Sequence, residues 1–482
     1  MEVLKNLNPE RVFYYFEQIC NIPHASFHTE KITEYLVNFA EEHNLDYERD
    51  ENDNIIIRKE ASPGYENAAG VILQGHTDMV AAVAEGASHD FEQEGLKLRV
   101  DGDDIYAENT TLGGDDGIAV AYALAILDDD SIEHPSLEVL LTSNEEVGLL
   151  GADALDMSRI NGKYLINLDS EEEGTLLAGC AGGLNLECRI PVSYVEETSV
   201  CYRISISGLN GGHSGAEIHK PRANANKLMG RLLFQLEDHV PYMLADLSGG
   251  DKHNVIAPHA EATIMASREE EDQICQVAAS LEKSLREEYA GCDESIRITV
   301  TNLGISTEAV LNPVSKGKVI FFLMNQPHGV LKMSGTTPGI VETSANAAVM
   351  SLKPDTFVSL SSVRSSLEDA KYHVRDQICY LTEFLGGECT QDGEYPAWEF
   401  RTDSPLRDRM CSVWNDLYGK TMEVTIIHAG LECGLFTGKK PELDCVSLGP
   451  NIRDIHSPKE RLSISSTKRV WDFLLAVLKN MK

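Results

Sequence analysis

The sequence predicts an α/β fold: a discontinuous domain with a mixed sheet flanked by helices, interrupted by an inserted α+β lid domain. Three observations carry this expectation. As far as Asp169, apolar β-runs alternate with amphipathic helices, and polar residues follow the runs directly, which is the pattern of an open α/β sheet. From about Leu184 to Thr390, β-runs and single amphipathic helices alternate without polar residues at the strand tips. After Ser404 the first pattern returns. The boundaries are set at 1–184 and 397–482 for the split domain and 185–396 for the lid. The lid is expected to hold two αβ modules of ferredoxin-like form.

Taken in order, Asn8–Cys20 reads as a helix, with Asn8 as N-cap, Pro9 in the first turn and Val12, Tyr15, Phe16 and Ile19 on one face. Thr29–Glu42 is a second helix. Asn54–Arg58 and Val71–Gln74 are strands, and Glu92–Tyr106 a hairpin turning at Asp101–Gly102. An Ala-rich helix follows LGGDDGI, from Ile118 to Leu127. Leu137–Thr142 and Tyr164–Leu168 are strands. In the lid, Leu184–Pro191, Val200–Ser207, Ala262–Ala266 and Ile296–Thr301 read as strands, and Arg222–Glu237 and Glu271–Tyr289 as helices. Pro405–Tyr418 and Thr467–Lys479 are helices around strands at Glu423–Ile427 and Cys445–Leu448.

Composition narrows the function classes. The 482 residues carry 41 Lys and Arg against 77 Asp and Glu, a net charge of -36. That field repels phosphate backbones, so nucleic acid is not an expected partner. No apolar run approaches the roughly 20 residues of a membrane span, and no secretory leader is legible at Met1–Cys20. The 11 cysteines are scattered without CxxC spacing, which points to reduced thiols and a cytoplasmic setting.

The chemistry collects in four clusters at strand ends or in the loops beside them, and in one late loop. In LQGHTDMV, His76 and Asp78 sit two apart and project to the same side of an extended segment. Asp115 follows in LGGDDGI, Glu145 and Glu146 in TSNEEVG, Asp169 in NLD and His456 in NIRDIHSPKE. Sites in open α/β sheets form outside the carboxyl ends of the strands. A two-metal site needs imidazole and carboxylate ligands from several strands, with one shared carboxylate. His76, Asp115, Glu146, Asp169 and His456 supply such a set. Asp115 is then the bridge, with His76 and Asp169 on one metal and Glu146 and His456 on the other. Glu145 is placed to act as general base.

The ordered string HTD, GGDDG, NEEVG, NLD and IHS resembles the binuclear zinc metallopeptidases that include aminoacylase, acetylornithine deacetylase and carnosinase. LQGHTDMV, TSNEEVGLLGA, NLDSEEEG, GLNGGHSG and AGLECGLF resemble the aminoacyl-histidine dipeptidase (Xaa-His dipeptidase) branch in particular, and the likeness spans the chain. The resemblance implies hydrolysis of short peptides, Xaa-His dipeptides foremost, including the β-alanyl-histidine type. It implies two zinc ions per chain, with cobalt and manganese as alternatives. It makes His76, Asp115, Glu146, Asp169 and His456 the metal ligands, Asp78 the residue orienting His76, and Glu145 the base, with a cis peptide between Asp115 and Asp116. In the lid it implies His213 as an oxyanion donor, Arg364 as a clamp on the substrate carboxylate, Asn254 near the same end, and Gly430 as a backbone contact. The alternatives are an N-acyl amino acid deacylase using the same chemistry, or a non-catalytic homologue. A monomer and a homodimer are both compatible with the sequence.

Overall fold

The computed structural model describes residues 3–335 and 337–482. It separates into two compact units. One runs to Cys180 and resumes over Trp398–Ile426 and Leu431–Lys482; the other is Ala181–Ala397 with Ile427–Gly430.

The first unit is built on an eight-stranded sheet in the order Asp46–Arg49, Ile55–Lys59, Leu137–Thr142, Val71–His76, Tyr164–Asn167, Asp444–Ser447, Thr175–Cys180, Glu423–Ile427. The four strands from Leu137–Thr142 to Asp444–Ser447 run parallel. They are almost wholly buried, as strands at the centre of a parallel sheet are. Their carboxyl ends lie on one edge, with His76 opposite Thr142 and Gln74 opposite Asn167. The helix Gly114–Asp128 packs on this sheet and is buried at every position from Asp116 to Leu127. It offers no polar stripe to water, so its place is the centre of the core. Each large side chain buried there contributes about 1.5–3 kcal/mol. The strand beneath must present glycine at position 75: a Cβ there would lie 2.5 Å from Asp116 Oδ2 and 2.6 Å from Ala119 Cβ.

One cap differs from expectation. The first helix is Glu10–Cys20, and Pro9, after a cis Asn8–Pro9 bond, occupies the N-cap without a side-chain bond. Asn8 therefore does not cap. The expected hairpin forms from Leu98–Asp101 and Asp104–Ala107. It joins Ile452–Arg453 and Arg461–Ser463 in a small four-stranded sheet, which holds both ends of the loop carrying His456.

The inserted unit is a nine-stranded antiparallel sheet. Its first four strands in spatial order are Arg297–Leu311, Tyr194–Ser207, Ala260–Ala266 and Tyr242–Gly249. With the helices Ala225–Glu237 and Glu271–Glu288 they make a βαββαβ module in the fourth-first-third-second order of a ferredoxin-like fold. Val341–Leu352, Thr356–Ser365, Gly182–Pro191 and Glu388–Tyr395 repeat that order in reverse direction across the sheet, with Gly329–Met333 added on Val341–Leu352. The first strand of this second module, Gly182–Pro191, precedes the whole first module in the chain, so one module is nested inside the other. They meet at Ser248 opposite Ser351 and Gly249 opposite Met350. No helix among the described residues is long and apolar enough to cross a membrane.

Candidate active site

The strand ends are cross-linked one layer below the acidic cluster. Gln74 Nε2 donates to Glu432 Oε2 (2.5 Å) and to Thr142 Oγ1 (3.3 Å), Thr142 Oγ1 donates to Glu432 Oε2 (2.9 Å), and Asn167 Nδ2 donates to Gln74 Oε1 (2.6 Å). These bonds fix the spacing of the three strands that lead to His76, Glu145 and Asp169. Glu432 is fully buried, and burial pushes its carboxyl up to about 7. Sequence reading passed over it; the available signal was a lone acid within the apolar stretch AGLECGLF.

Above this layer, Asp115 stands between two imidazoles. Its Oδ1 lies 3.1 Å from His76 Nε2 and its Oδ2 3.2 Å from His456 Nε2. Asp169 Oδ1 lies 3.7 Å from His76 Nε2, and Glu146 Oε2 lies 3.0 Å from His456 Nε2. The Asp115–Asp116 peptide is cis. His456 has a left-handed backbone, with φ 58°, a conformation that side chains with a Cβ avoid and that recurs at functional sites. The ligand atoms of His76, Asp115 and Glu146, and those of His76, Asp116 and Asp169, each fall within 4.8 Å of one another. Asp116 was not expected in such a group. Its Oδ2 accepts the His76 backbone N–H at 3.2 Å, on the strand side of the cluster.

The donor set fits a pair of divalent cations. His76 Nδ1 faces the backbone oxygen of Asp78 at 2.9 Å, which places the ring proton on Nδ1 and turns the Nε2 lone pair toward Asp115 and Asp169. A lone pair facing carboxylate oxygens calls for a cation between them. Glu146 Oε1 is buried with no hydrogen-bond partner among the described residues. Burial pushes the Glu145 and Asp169 carboxyls well above their usual range, and neighbouring acids add to it. Imidazole and carboxylate ligands without thiolate suit zinc, and cobalt or manganese as well.

Two residues behind the cluster tie its parts together. Asp78 Oδ1 accepts the Glu145 N–H (2.9 Å) and lies 3.5 Å from His76 Nδ1, while Oδ2 accepts from Ser26 Oγ (2.7 Å). Asp78 thus sets both the His76 ring and the Glu145 backbone. Glu460, 2% exposed, accepts the N–H groups of Leu112 (2.7 Å), Gly113 (3.1 Å), Gly114 (2.8 Å) and Asp115 (3.4 Å). It fastens the loop of Asp115 to the loop of His456, four residues before it in sequence, and sequence reading did not single it out. Glu460→Ala is expected to weaken metal binding by about 10–100-fold, the usual cost of losing a group that orients ligands. Competition against a chromogenic chelator measures this, and wild-type affinity in that variant would refute the role.

In the inserted unit, the four residues singled out from the sequence come close to one another. His213 Nδ1 accepts the N–H groups of Gly215 (3.2 Å) and Ala216 (3.0 Å), so its ring proton resides on Nε2. A Cβ on Gly215 would lie 3.0 Å from His213 Cε1, 3.1 Å from Arg364 Cζ and 2.7 Å from the His428 oxygen. Arg364 Nη1 donates to Tyr395 Oη at 2.7 Å, and its Nε is buried without an acceptor among the described residues. Gly430 packs against Tyr395: a Cβ there would lie 2.7 Å from Cε2. The Asn254 backbone oxygen accepts the Ser214 N–H at 2.9 Å. Sequence reading missed Tyr395 and His428. His428 Nε2 bonds Ser344 Oγ at 2.7 Å, and burial, reinforced by Arg364, pushes its pKa down to about 3, so the ring is neutral.

A parallel-centred sheet with His76 at a strand tip, the Asp115 carboxylate at the start of the helix packed on it and the His456 imidazole on a loop reaching the same point, with a ferredoxin-like insertion, defines a metallohydrolase of the peptidase class. Residues 72–480 match Peptidase family M20/M25/M40, and the chain belongs to that family. The cytosol non-specific dipeptidase of Escherichia coli (strain K12) is 36% identical over 483 residues, spanning 100% of this chain and 99% of that protein. The crystal structure of aminoacylhistidine dipeptidase from Vibrio alginolyticus superposes with a TM-score of 0.89 at 34% identity, covering 99% of this chain and 97% of that one. A tripeptidase from Staphylococcus aureus shares the fold, with a TM-score of 0.57 at 16% identity over 98% of this chain and 99% of its own.

Proposed function

We infer that the chain is a cytoplasmic, dinuclear zinc-dependent dipeptidase that cleaves Xaa-His and related dipeptides. The observation that carries this reading is Asp115, whose two carboxylate oxygens address two imidazoles from distant parts of the chain, at 3.1 Å and 3.2 Å. His76 and Asp169 would hold one ion, Glu146 and His456 the other, with Asp115 shared. Bound there, the ions acidify water and polarise the scissile carbonyl. Glu145 takes the proton of the attacking water on its carboxylate and delivers it to the leaving amine. Asp78 keeps Glu145 and His76 in register. His213, with its proton on Nε2, donates to the developing oxyanion. Arg364 offers Nε to the substrate carboxylate, and Asn254 and Gly430 contact the substrate beside it.

The bacterial relatives differ in the breadth their names state, one non-specific and one aminoacylhistidine. Purified protein assayed with β-alanyl-histidine and with dipeptides ending in His, Gly or Leu tests the reading. Hydrolysis lost to a chelator and restored by zinc is expected, with N-acetylated dipeptides resistant. Chelator-insensitive activity, or faster cleavage of N-acyl amino acids, would overturn it.

Arg364→Ala is expected to raise KM by about 10- to 100-fold, matching the roughly 1.5–3 kcal/mol of a charge-assisted hydrogen bond. Dipeptide amides check the assignment, because the variant should no longer distinguish them from free acids. A variant that still prefers the free acid as strongly as wild type removes Arg364 from carboxylate recognition.

A further inference from the structure

We propose that Cys379 and Cys389, in the inserted unit, form an oxidisable dithiol that reacts with hydroperoxides and closes to a disulfide. Cys379 lies in the helix Glu368–Phe384 and Cys389 in the strand Glu388–Tyr395. The turn between them reverses the chain through Gly386, with φ 81°, and brings the two sulfurs to 2.7 Å. A disulfide needs about 2.05 Å between sulfurs, so the two sulfurs already stand close to bonding distance. A third thiol, Cys188, stands directly opposite Cys389 in the strand register, with its sulfur 3.8 Å away.

Access separates this cluster from the other close thiols. Cys379 and Cys389 are partly exposed, whereas Cys188 is buried. The neighbouring pair Cys433 and Cys445 is buried throughout. Burial pushes the Cys379 thiol up to about 12, and contact with Cys188 together with burial pushes the Cys389 thiol up as well, so the thiolate that starts the reaction is a minor species that grows as pH rises.

The reaction balances with a hydroperoxide as the only co-reactant. The thiolate of one cysteine attacks the terminal peroxide oxygen, the O–O bond breaks, and the remaining oxygen leaves as water or an alcohol. The sulfur of the second cysteine attacks the resulting sulfenic acid, the S–O bond breaks, and water departs. The protein loses two electrons and two protons, and the peroxide gains them. The product clamps the end of the helix to the edge strand that leads to Tyr395, the partner of Arg364.

Tryptic mapping of the full chain decides the matter, because Asp376–Arg401 contains both cysteines and Cys188 lies in Tyr164–Arg189. After hydrogen peroxide treatment and alkylation with iodoacetamide, Asp376–Arg401 should lose two hydrogens and resist alkylation. Dithiothreitol should restore two alkylation sites. The Cys188→Ser variant should behave as wild type, and the Cys389→Ser variant should show no such peptide. Two results overturn the proposal. One is full alkylation of Asp376–Arg401 at doses that oxidise the exposed Cys275; the other is a cross-link between Asp376–Arg401 and Tyr164–Arg189.

Discussion

Glu145→Gln is expected to lower kcat by about 10²–10⁴-fold, the contribution of a positioned acid–base group, while KM and metal content stay near wild type. The amide has the shape of the carboxylate but cannot take up a proton at neutral pH. The backbone of residue 145 stays anchored, because its N–H is held by Asp78 Oδ1 at 2.9 Å whatever the side chain. The neighbouring carboxylate of Glu146 faces His456 at 3.0 Å and is untouched by the change. Steady-state kinetics alongside elemental analysis of the same preparation separates the outcomes. Near-wild-type turnover would remove Glu145 as the proton carrier. Loss of one metal equivalent would make it a ligand instead.

Asp115→Asn strikes both metal positions at once. The carboxylate presents Oδ1 to the His76 side and Oδ2 to the His456 side, and an amide keeps only one oxygen. Its NH₂ would face an imidazole nitrogen from which a lone pair is required. Both ions are therefore expected to bind more weakly than in the Glu460 variant, by more than the about 10–100-fold cost of losing an orienting group, and activity should vanish with them. Titration of the metal-free protein with zinc, read by calorimetry, checks this. Retention of one ion at wild-type affinity would show that Asp115 serves a single metal. The two substitutions differ in kind: Glu145→Gln should give a loaded, silent protein, and Asp115→Asn an empty one.

Legibility in the sequence tracked how local each cause is. The helix Pro405–Tyr418 was read to the residue because its signals are adjacent: the Ser404 hydroxyl accepts the Arg407 N–H, Pro405 opens the first turn, and Gly419 closes the last with φ 63°. The first helix was misjudged at its start, since Asn8 looks like a cap until the proline after it takes the cap position. The strand Arg297–Leu311 was expected only as far as Thr301. Its second half is largely exposed and is a strand because Tyr194–Val200 pairs with it, a fact no local pattern contains.

The same division runs through the site. The sequence by itself determined which strand ends carry imidazole and carboxylate, because those residues sit in short motifs directly after apolar runs. It also placed four of the strands, at Asn54–Arg58, Val71–Gln74, Leu137–Thr142 and Tyr164–Leu168, because apolar residues cluster there. Only the tertiary structure decided that Glu460 caps a loop 348 residues earlier, that Glu432 braces Gln74 358 residues away, and that one ferredoxin-like module nests inside the other. A buried acid and an exposed one are the same letter. What separates them is the set of N–H groups that the folded chain brings to the acid, and that set is assembled from segments too far apart in sequence for any local pattern to record.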